Sequence, residues 1–243
     1  MRNVWTVAKR EFNMYFASPV AYAIAFVLLL VLGLFFYADF VSAAVQGGSP
    51  DATRTISLFV TLLLFFTPAL TMRLLAEEQR TGTIELLLTA PLREWELVTG
   101  KWLAAFGFIL LLVLITGIYA VILNHFVTPG LDLGVLAAAY LGLVLIVAAF
   151  LAVGVFVSTL FTNQIAAFFG SMGVILLLWV ISYPVSSQTG PVATVIQYLD
   201  FSNHFYNNFF RGVIDLSDVT YFVSIVVIFL FLAARTVESR RWR

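Results

Sequence analysis

Long stretches without a charged residue constrain this 243-residue chain more than any other feature of its sequence. An ionised side chain costs at least about 2.5 to 3.5 kcal/mol in hydrocarbon, so charge-free apolar windows predict membrane spans. The chain is 62% hydrophobic and 11% charged, whereas soluble domains are about half apolar and about a quarter charged. The windows are residues 12–38, 55–72, 102–131, 133–199 and 219–234.

The window 133–199 is too long for one span, which needs about 20 residues, and the polar triplet Thr162, Asn163 and Gln164 divides it. A cleavable secretory signal is disfavoured because the apolar run 19–37 exceeds the roughly 7 to 15 residues of a signal sequence. The sequence predicts an all-α polytopic membrane protein with six transmembrane helices in a single domain. The spans are expected at 19–38, 55–75, 100–123, 134–160, 165–184 and 217–235.

The distribution of Lys and Arg predicts the orientation. Eleven of the thirteen lie in the amino-terminal segment, the loop between spans two and three, and the carboxy-terminal tail, and only Arg54 and Arg211 lie elsewhere. Positively charged loops stay in the cytoplasm, and an even number of spans places all three segments on one side. We therefore expect a multi-pass protein of the bacterial inner (cytoplasmic) membrane with both termini cytoplasmic.

The segment before the first span, residues 1–17, has the pattern of an amphipathic helix. At 100° per residue one face is apolar and the other polar. The apolar face consists of Val4, Trp5, Ala8, Phe12, Tyr15 and Phe16, and the polar face of Arg2, Thr6, Lys9, Arg10 and Asn13. This separation predicts a helix that lies in the cytoplasmic interface. The alternative is a short basic tail that only obeys the positive-inside rule.

A second amphipathic pattern occurs on the outer side, within residues 185–216. Tyr198, Phe201, Phe205 and Phe209 share one face, with Ser202 as a possible N-cap and Gly212 as a stop. We expect a short outer-leaflet or re-entrant helix whose aromatic face contacts lipid or substrate. The opposite face carries His204, Asn207, Asn208 and Arg211.

The sequence lacks the motifs of nucleotide-binding, zinc-binding and catalytic sites. The one Gly-Lys pair, Gly100 and Lys101, lacks the upstream glycine of a P-loop, so no ATP site is expected here. The chain has no cysteine, and its two histidines form no zinc motif. We expect no catalytic residue and no metal ligand. Ser158 and Ser171 leave an intramembrane hydrolase open, but structural roles are favoured because such hydroxyls are common in membrane helices.

Energy for transport would have to come from a partner. Ion-coupled carriers place ionisable groups at mid-membrane, whereas Asp39, Asp132, Asp215 and Asp218 lie at the outer span ends.

The cytoplasmic loop 76–99 combines charge clusters with an apolar turn. Gly82 permits a break after a helical extension of span two, and Pro91 stops the short helix predicted between them. Its apolar side chains need a covering surface, which a protein partner or the bilayer interface would supply. The alternative is packing against the chain itself. The expected contact residues are Glu77, Glu78, Arg80, Thr81, Gly82, Thr83, Ile84, Glu85, Leu86, Leu87, Leu88 and Pro91.

At this loop the sequence resembles the type-2 ABC (ABC-2 type) exporter permeases, in particular the group that contains the gliding-motility and nitrous-oxide-reductase-maturation permeases. The resemblance extends over the whole chain and is strongest in the loop. The residues that carry it are Glu77-Glu78, Arg80 to Pro91, Glu96-Leu97-Val98, Gly100-Lys101, Ser18-Pro19, His204-Phe205, Phe210 to Asp215, Glu238 and Arg241-Trp242.

The resemblance implies a six-helix permease with an amino-terminal interfacial helix, a cytoplasmic coupling helix and an outer re-entrant segment. It implies that ATP and Mg are bound by a separate ABC ATPase subunit and that two permeases, identical or paralogous, form a dimer. The lipid bilayer and a periplasmic or extracellular accessory protein are further expected partners, whereas nucleic acid is not. Family substrates range over lipids, glycans, drugs and peptides, so the substrate does not carry over.

The sequence thus favours a non-enzymatic permease subunit that exports an amphiphilic or polymeric substrate with energy from ATP. A non-transporting membrane anchor or assembly factor is the alternative. A stoichiometric ATPase in purified material would distinguish the two.

Overall fold

The computed structural model describes residues 2–46, 51–82, 92–126, 130–188 and 190–240. Within these ranges the chain is helical and contains no strand. The helices are α1 (Arg2–Ala17), α2 (Pro19–Gln46), α3 (Ala52–Thr71), α4 (Ala76–Thr81), α5 (Glu94–Phe126), α6 (Leu133–Leu160), α7 (Gln164–Val180), α8 (Pro191–Tyr198), α9 (Phe201–Tyr206) and α10 (Leu216–Arg240), with 3₁₀ turns at Tyr183–Val185 and Phe209–Arg211.

Within the described ranges six helical segments are long and apolar enough to cross a membrane, which confirms the predicted all-α, six-span fold. The first span is longer than expected, because α2 continues past residue 38 to Gln46. The second contains the turn between α3 and α4, and the third begins six residues earlier than predicted, at Glu94 rather than 100. Charge-free windows locate a span well but miss helical turns that extend beyond the apolar layer.

Helix α6 forms the centre of the bundle. In its most apolar window 78% of the residues are buried, against 22% in the corresponding window of α2. Small residues such as Ala139, Gly142, Ala149 and Gly154 bring neighbouring backbones close to it. Helices α3, α5, α7 and α10 all pack against α6. The outward faces of α2 and α5 instead present large apolar side chains such as Phe26 and Leu114, as lipid contact requires.

The spans bring distant charged segments together at two ends. What we call the basic end consists of α1, α4, the start of α5 and the end of α10. There Lys101 contacts Glu11 and Glu78, and one cavity is lined by both Arg93 and Arg235. The opposite end, here the aspartate end, carries α8, α9 and the aspartates at the other span termini, Asp39, Asp51, Asp132, Asp200, Asp215 and Asp218.

Candidate functional site

The predicted coupling residues are only partly described by the structure. Glu77, Glu78, Arg80, Thr81 and Gly82 belong to α4 and its C-cap. The remaining ones, Thr83, Ile84, Glu85, Leu86, Leu87, Leu88 and Pro91, lie outside the described residues.

Helix α4, which leads into this loop, is attached to α6. The backbone N–H groups of Leu75 and Ala76 both donate to the Ser158 hydroxyl at 3.1 Å. The Gln79 side chain donates to the carbonyl oxygen of Thr159 at 3.0 Å. Ser158 therefore caps the start of α4, a structural role that the sequence favoured over a catalytic one.

Helix α4 ends as the sequence predicts. Gly82 adopts a left-handed conformation with φ of 71°, and its N–H donates to the carbonyl oxygen of Gln79. The acidic pair Glu77 and Glu78 occupies the first turn and Arg80 the last, each at the terminus where the helix dipole favours its charge. The Glu77 and Arg80 side chains are 45% and 62% exposed, so they are available to a partner surface.

A buried charge cluster joins α4 to two other helices. The Lys101 ammonium on α5 lies 2.8 Å from a Glu78 oxygen on α4 and 3.1 Å from a Glu11 oxygen on α1. Lys101 is 1% and Glu11 4% exposed. Arg10, 2.7 Å from the same Glu11 oxygen, balances the second carboxylate. Charges buried this deeply require partners, so the cluster holds the three helices in one arrangement.

Sequence reasoning missed this cluster, although a signal was present. Glu11 directly precedes the charge-free window 12–38, and Lys101 directly precedes 102–131. Opposite charges that border apolar windows on the same predicted side are candidates for pairing. The sequence does not reveal which of several such residues meet.

Helix α1 lies along the start of α5. The Asn3 side chain donates to a Glu96 carboxylate oxygen at 3.1 Å, and the Arg93 N–H donates to the same oxygen at 3.0 Å. Val7 packs so closely on Gly100 that a Cβ at residue 100 would lie 2.7 Å from a Val7 methyl carbon. The predicted apolar face omitted Val7 and included Trp5, which is 69% exposed. The face of α1 that packs on α5 is therefore rotated relative to the prediction.

At the aspartate end the predicted amphipathic helix is divided. Helix α9 ends at Tyr206, and a 3₁₀ turn follows at Phe209–Arg211. The N-cap is Asp200 rather than Ser202, since its carboxylate accepts from the backbone N–H groups of Ser202 and Asn203. Gly212 ends the segment as predicted, with φ of 84°.

The phenylalanines of this segment face the protein interior. Phe201, Phe205 and Phe209 are each 0% exposed. Phe201 stacks on Phe222 of α10, and Phe209 packs against Gly142 of α6. The expectation that this aromatic face contacts lipid is therefore wrong. Replacing all three with serine would remove core volume and so destabilise the protein.

His204, expected on a polar outer face, is 7% exposed and fastens the segment to α10. Its Nδ1 lies 2.5 Å from an Asp218 oxygen, and its Nε2 lies 2.8 Å from the Tyr198 carbonyl oxygen. A carbonyl oxygen only accepts, so Nε2 is the donor in the contact with Tyr198. Asn208 donates to the other Asp218 oxygen at 2.7 Å. His204 thus connects this segment to α10 through Asp218.

Two other charged residues of this end, Arg211 and Asp215, are exposed. Arg211 lies in the 3₁₀ turn with its side chain outward. Asp215 precedes α10 and accepts from the Ser217 N–H at 2.9 Å, which lowers the pKa of this carboxyl. Among the described residues no three His, Cys, Asp or Glu side chains gather as a metal site requires.

The chain was compared with known proteins. No curated protein matches it. A family model described as "ABC-2 family transporter protein" matches residues 5–237, which includes all six spans and both ends described above. The chain therefore belongs to the ABC-2 family of transporter proteins.

Proposed function

We propose that this ABC-2 permease exports an amphiphilic or polymeric substrate across the bacterial inner membrane, with energy from ATP hydrolysed in a separate subunit. Membership of the family makes the chain a membrane component of an ABC transporter and implies an ABC ATPase partner. ATP and Mg would bind that partner, since this sequence lacks a P-loop. In this proposal both termini and the loop 76–99 face the cytoplasm, and two permeases form the transport unit.

One observation carries the proposal. The segment that leads into residues 83–91 is connected to three other helices, through Ser158 on α6 and through the contacts of Lys101 on α5 and Glu11 on α1. A force applied by an ATPase to this loop would therefore reach the spans directly. A loop that only joined two helices would not need these connections.

The test compares two substitutions in the loop. Each apolar side chain that fills a groove on the ATPase contributes about 1.5 to 3 kcal/mol to the binding free energy. Leu87→Asp removes that contribution and places an unpaired carboxylate in the groove, so it should abolish binding. Glu85→Gln removes only a charge at the rim, worth about 1 kcal/mol or less. We expect the ATPase to copurify with the Glu85→Gln variant, and to be stimulated by it, but not with Leu87→Asp.

Both variants must first be shown to insert into the membrane in wild-type amounts. If inserted Leu87→Asp binds and stimulates the ATPase as the wild type does, residues 83–91 do not couple the two subunits. If no ATPase copurifies even with the wild type, a non-transporting membrane anchor becomes the better description.

A further inference from the structure

A cavity of about 280 Å³ lies at the basic end, between α1, the start of α2 and the junction of α3 with α4. Its volume is near the lower limit of small-ligand sites, which span about 300 to 1,000 Å³. The lining combines charged residues, among them Glu77 and Arg73, with aliphatic residues such as Val20 and Leu70. The site therefore suits a molecule that is polar at one end and apolar at the other.

Two donors of this cavity lack partners within the described parts of the chain. The Tyr15 hydroxyl is buried and makes no hydrogen bond there, although buried tyrosine hydroxyls usually have a partner. Burial raises the pKa of Tyr15, and the charge of Glu11 adds to the effect, so the hydroxyl keeps its proton. The Arg73 guanidinium forms no ion pair with any described residue. A hydroxyl and a guanidinium on one cavity favour an oxyanion such as phosphate.

The position of the cavity indicates where such a phosphate would come from. Val20 lies in the first turn of α2, and Leu70 in the last turn of α3. Both spans leave the apolar layer at this level, where lipid head groups lie. The amphiphile that surrounds the cavity at this level is therefore a membrane phospholipid.

The charges of the lining indicate the head group. Lys101 and Arg10 already balance the carboxylates of Glu11 and Glu78. Two charges remain for a ligand, since Arg73 has no ion pair among the described residues and Glu77 has only Arg80 there, at 4.0 Å. An anionic lipid would pair with Arg73 but offer no cation to Glu77. A zwitterionic lipid carries an ammonium group that can form an ion pair with Glu77.

We propose that this cavity binds a phospholipid with a primary-ammonium head group, with its phosphate at Tyr15 and Arg73, its ammonium at Glu77 and an acyl chain along α2 and α3. Such a lipid links the amino-terminal helix to the α3–α4 junction. Binding at this site requires no ATPase.

Native mass spectrometry of the full-length permease tests this, in micelles that contain equal amounts of phosphatidylethanolamine and phosphatidylglycerol. The wild type should retain phosphatidylethanolamine preferentially. Arg73→Gln and Tyr15→Phe should each weaken retention about tenfold, since each removes a hydrogen bond to a charged group. Arg54→Gln and Tyr22→Phe, which remove the same groups outside the cavity, should retain the lipid as the wild type does.

Three results would overturn the proposal. Equal retention of both lipids would refute the head-group assignment. Unchanged retention in Arg73→Gln and Tyr15→Phe would refute the site. Displacement by millimolar phosphoethanolamine would show that the head group binds without its acyl chains. Tyr15→Phe removes one oxygen atom, so it stays informative even if Arg73→Gln fails to fold. Because the assay contains no ATPase, its outcome is independent of the coupling experiment.

Discussion

At the scale of single residues, Lys101 has the most demanding environment. Its ammonium is almost fully buried at the beginning of a span, with a carboxylate from α1 and another from α4 within 3.1 Å. Removing one partner of a buried ion pair is far more destabilising than removing an exposed charge, because the other partner stays in a medium that solvates it poorly. The stability of this end therefore depends on Lys101.

Lys101→Met should lower the free energy of unfolding by about 3 to 5 kcal/mol, because Glu78 loses its cation and Glu11 keeps only the exposed Arg10. Denaturant unfolding of the purified protein in detergent measures the change. Lys9→Met, which removes an exposed charge from α1, is the matched control and should change stability by less than about 0.5 kcal/mol.

The double variant Lys101→Met with Glu11→Gln should lose less stability than the sum of the two single variants, because the neutral amide no longer needs the ammonium. Strict additivity would mean that Glu11 and Lys101 do not interact in the folded protein.

At the scale of elements, the segment from Tyr198 to Gly212 shows what a helical pattern predicts and what it leaves open. The pattern separated phenylalanines from polar residues, but it did not show that both groups contain side chains buried inside the protein. The aromatic face packs on α6 and α10, and His204 on the other face binds Asp218. Gly142 allows this packing, since a Cβ there would lie 2.6 Å from the Phe209 Cβ.

Gly142→Ala should destabilise the permease by about 1 to 3 kcal/mol, because the added methyl group forces the Phe209 turn away from α6. Gly173→Ala is the matched control, since Gly173 also lies inside a span and a Cβ there meets nothing within 4 Å. This control should be neutral or stabilising, as alanine is the better helix former. Equal unfolding temperatures for the two variants would contradict the close packing of the 3₁₀ turn on α6.

At the scale of the whole molecule, α6 connects the two ends. Near its start Gly142 receives the 3₁₀ turn of the aspartate end, and near its end Ser158 caps α4 at the basic end. Helices that pack this closely move as units rather than deform continuously. A displacement of α4 would therefore be transmitted through α6 to the 3₁₀ turn at the aspartate end.

The orientation can be tested with single cysteines, because the chain has none of its own. Thr81 and Ser239 lie at the basic end, as does Asn163, and all three are exposed. An impermeant thiol reagent should leave cysteines at these positions unlabelled in intact cells and label cysteines at Ser49, Thr128 and Gln188. Labelling at residue 81 from outside would reverse the orientation, and permeabilised cells show that every site can react.

The six spans, the amphipathic start and the glycine stops at Gly82 and Gly212 could be predicted from the sequence alone. The physical reason is that these features are local. The cost of burying a charge in hydrocarbon adds up along one segment, and a left-handed helix end depends on the residue that occupies it. The same local motifs carried the resemblance to the ABC-2 type permeases, and the family model confirms that family over residues 5–237.

Only the tertiary structure decided which faces meet protein instead of lipid, and which charges pair. Phe201 and Phe26 are both aromatic residues of apolar helices, yet one is fully buried and the other is 65% exposed. Glu11 and Lys101 are 90 positions apart, and many other acidic residues could have been the partner. Such contacts depend on how the helices pack around α6, and packing is a non-local property that no single segment encodes.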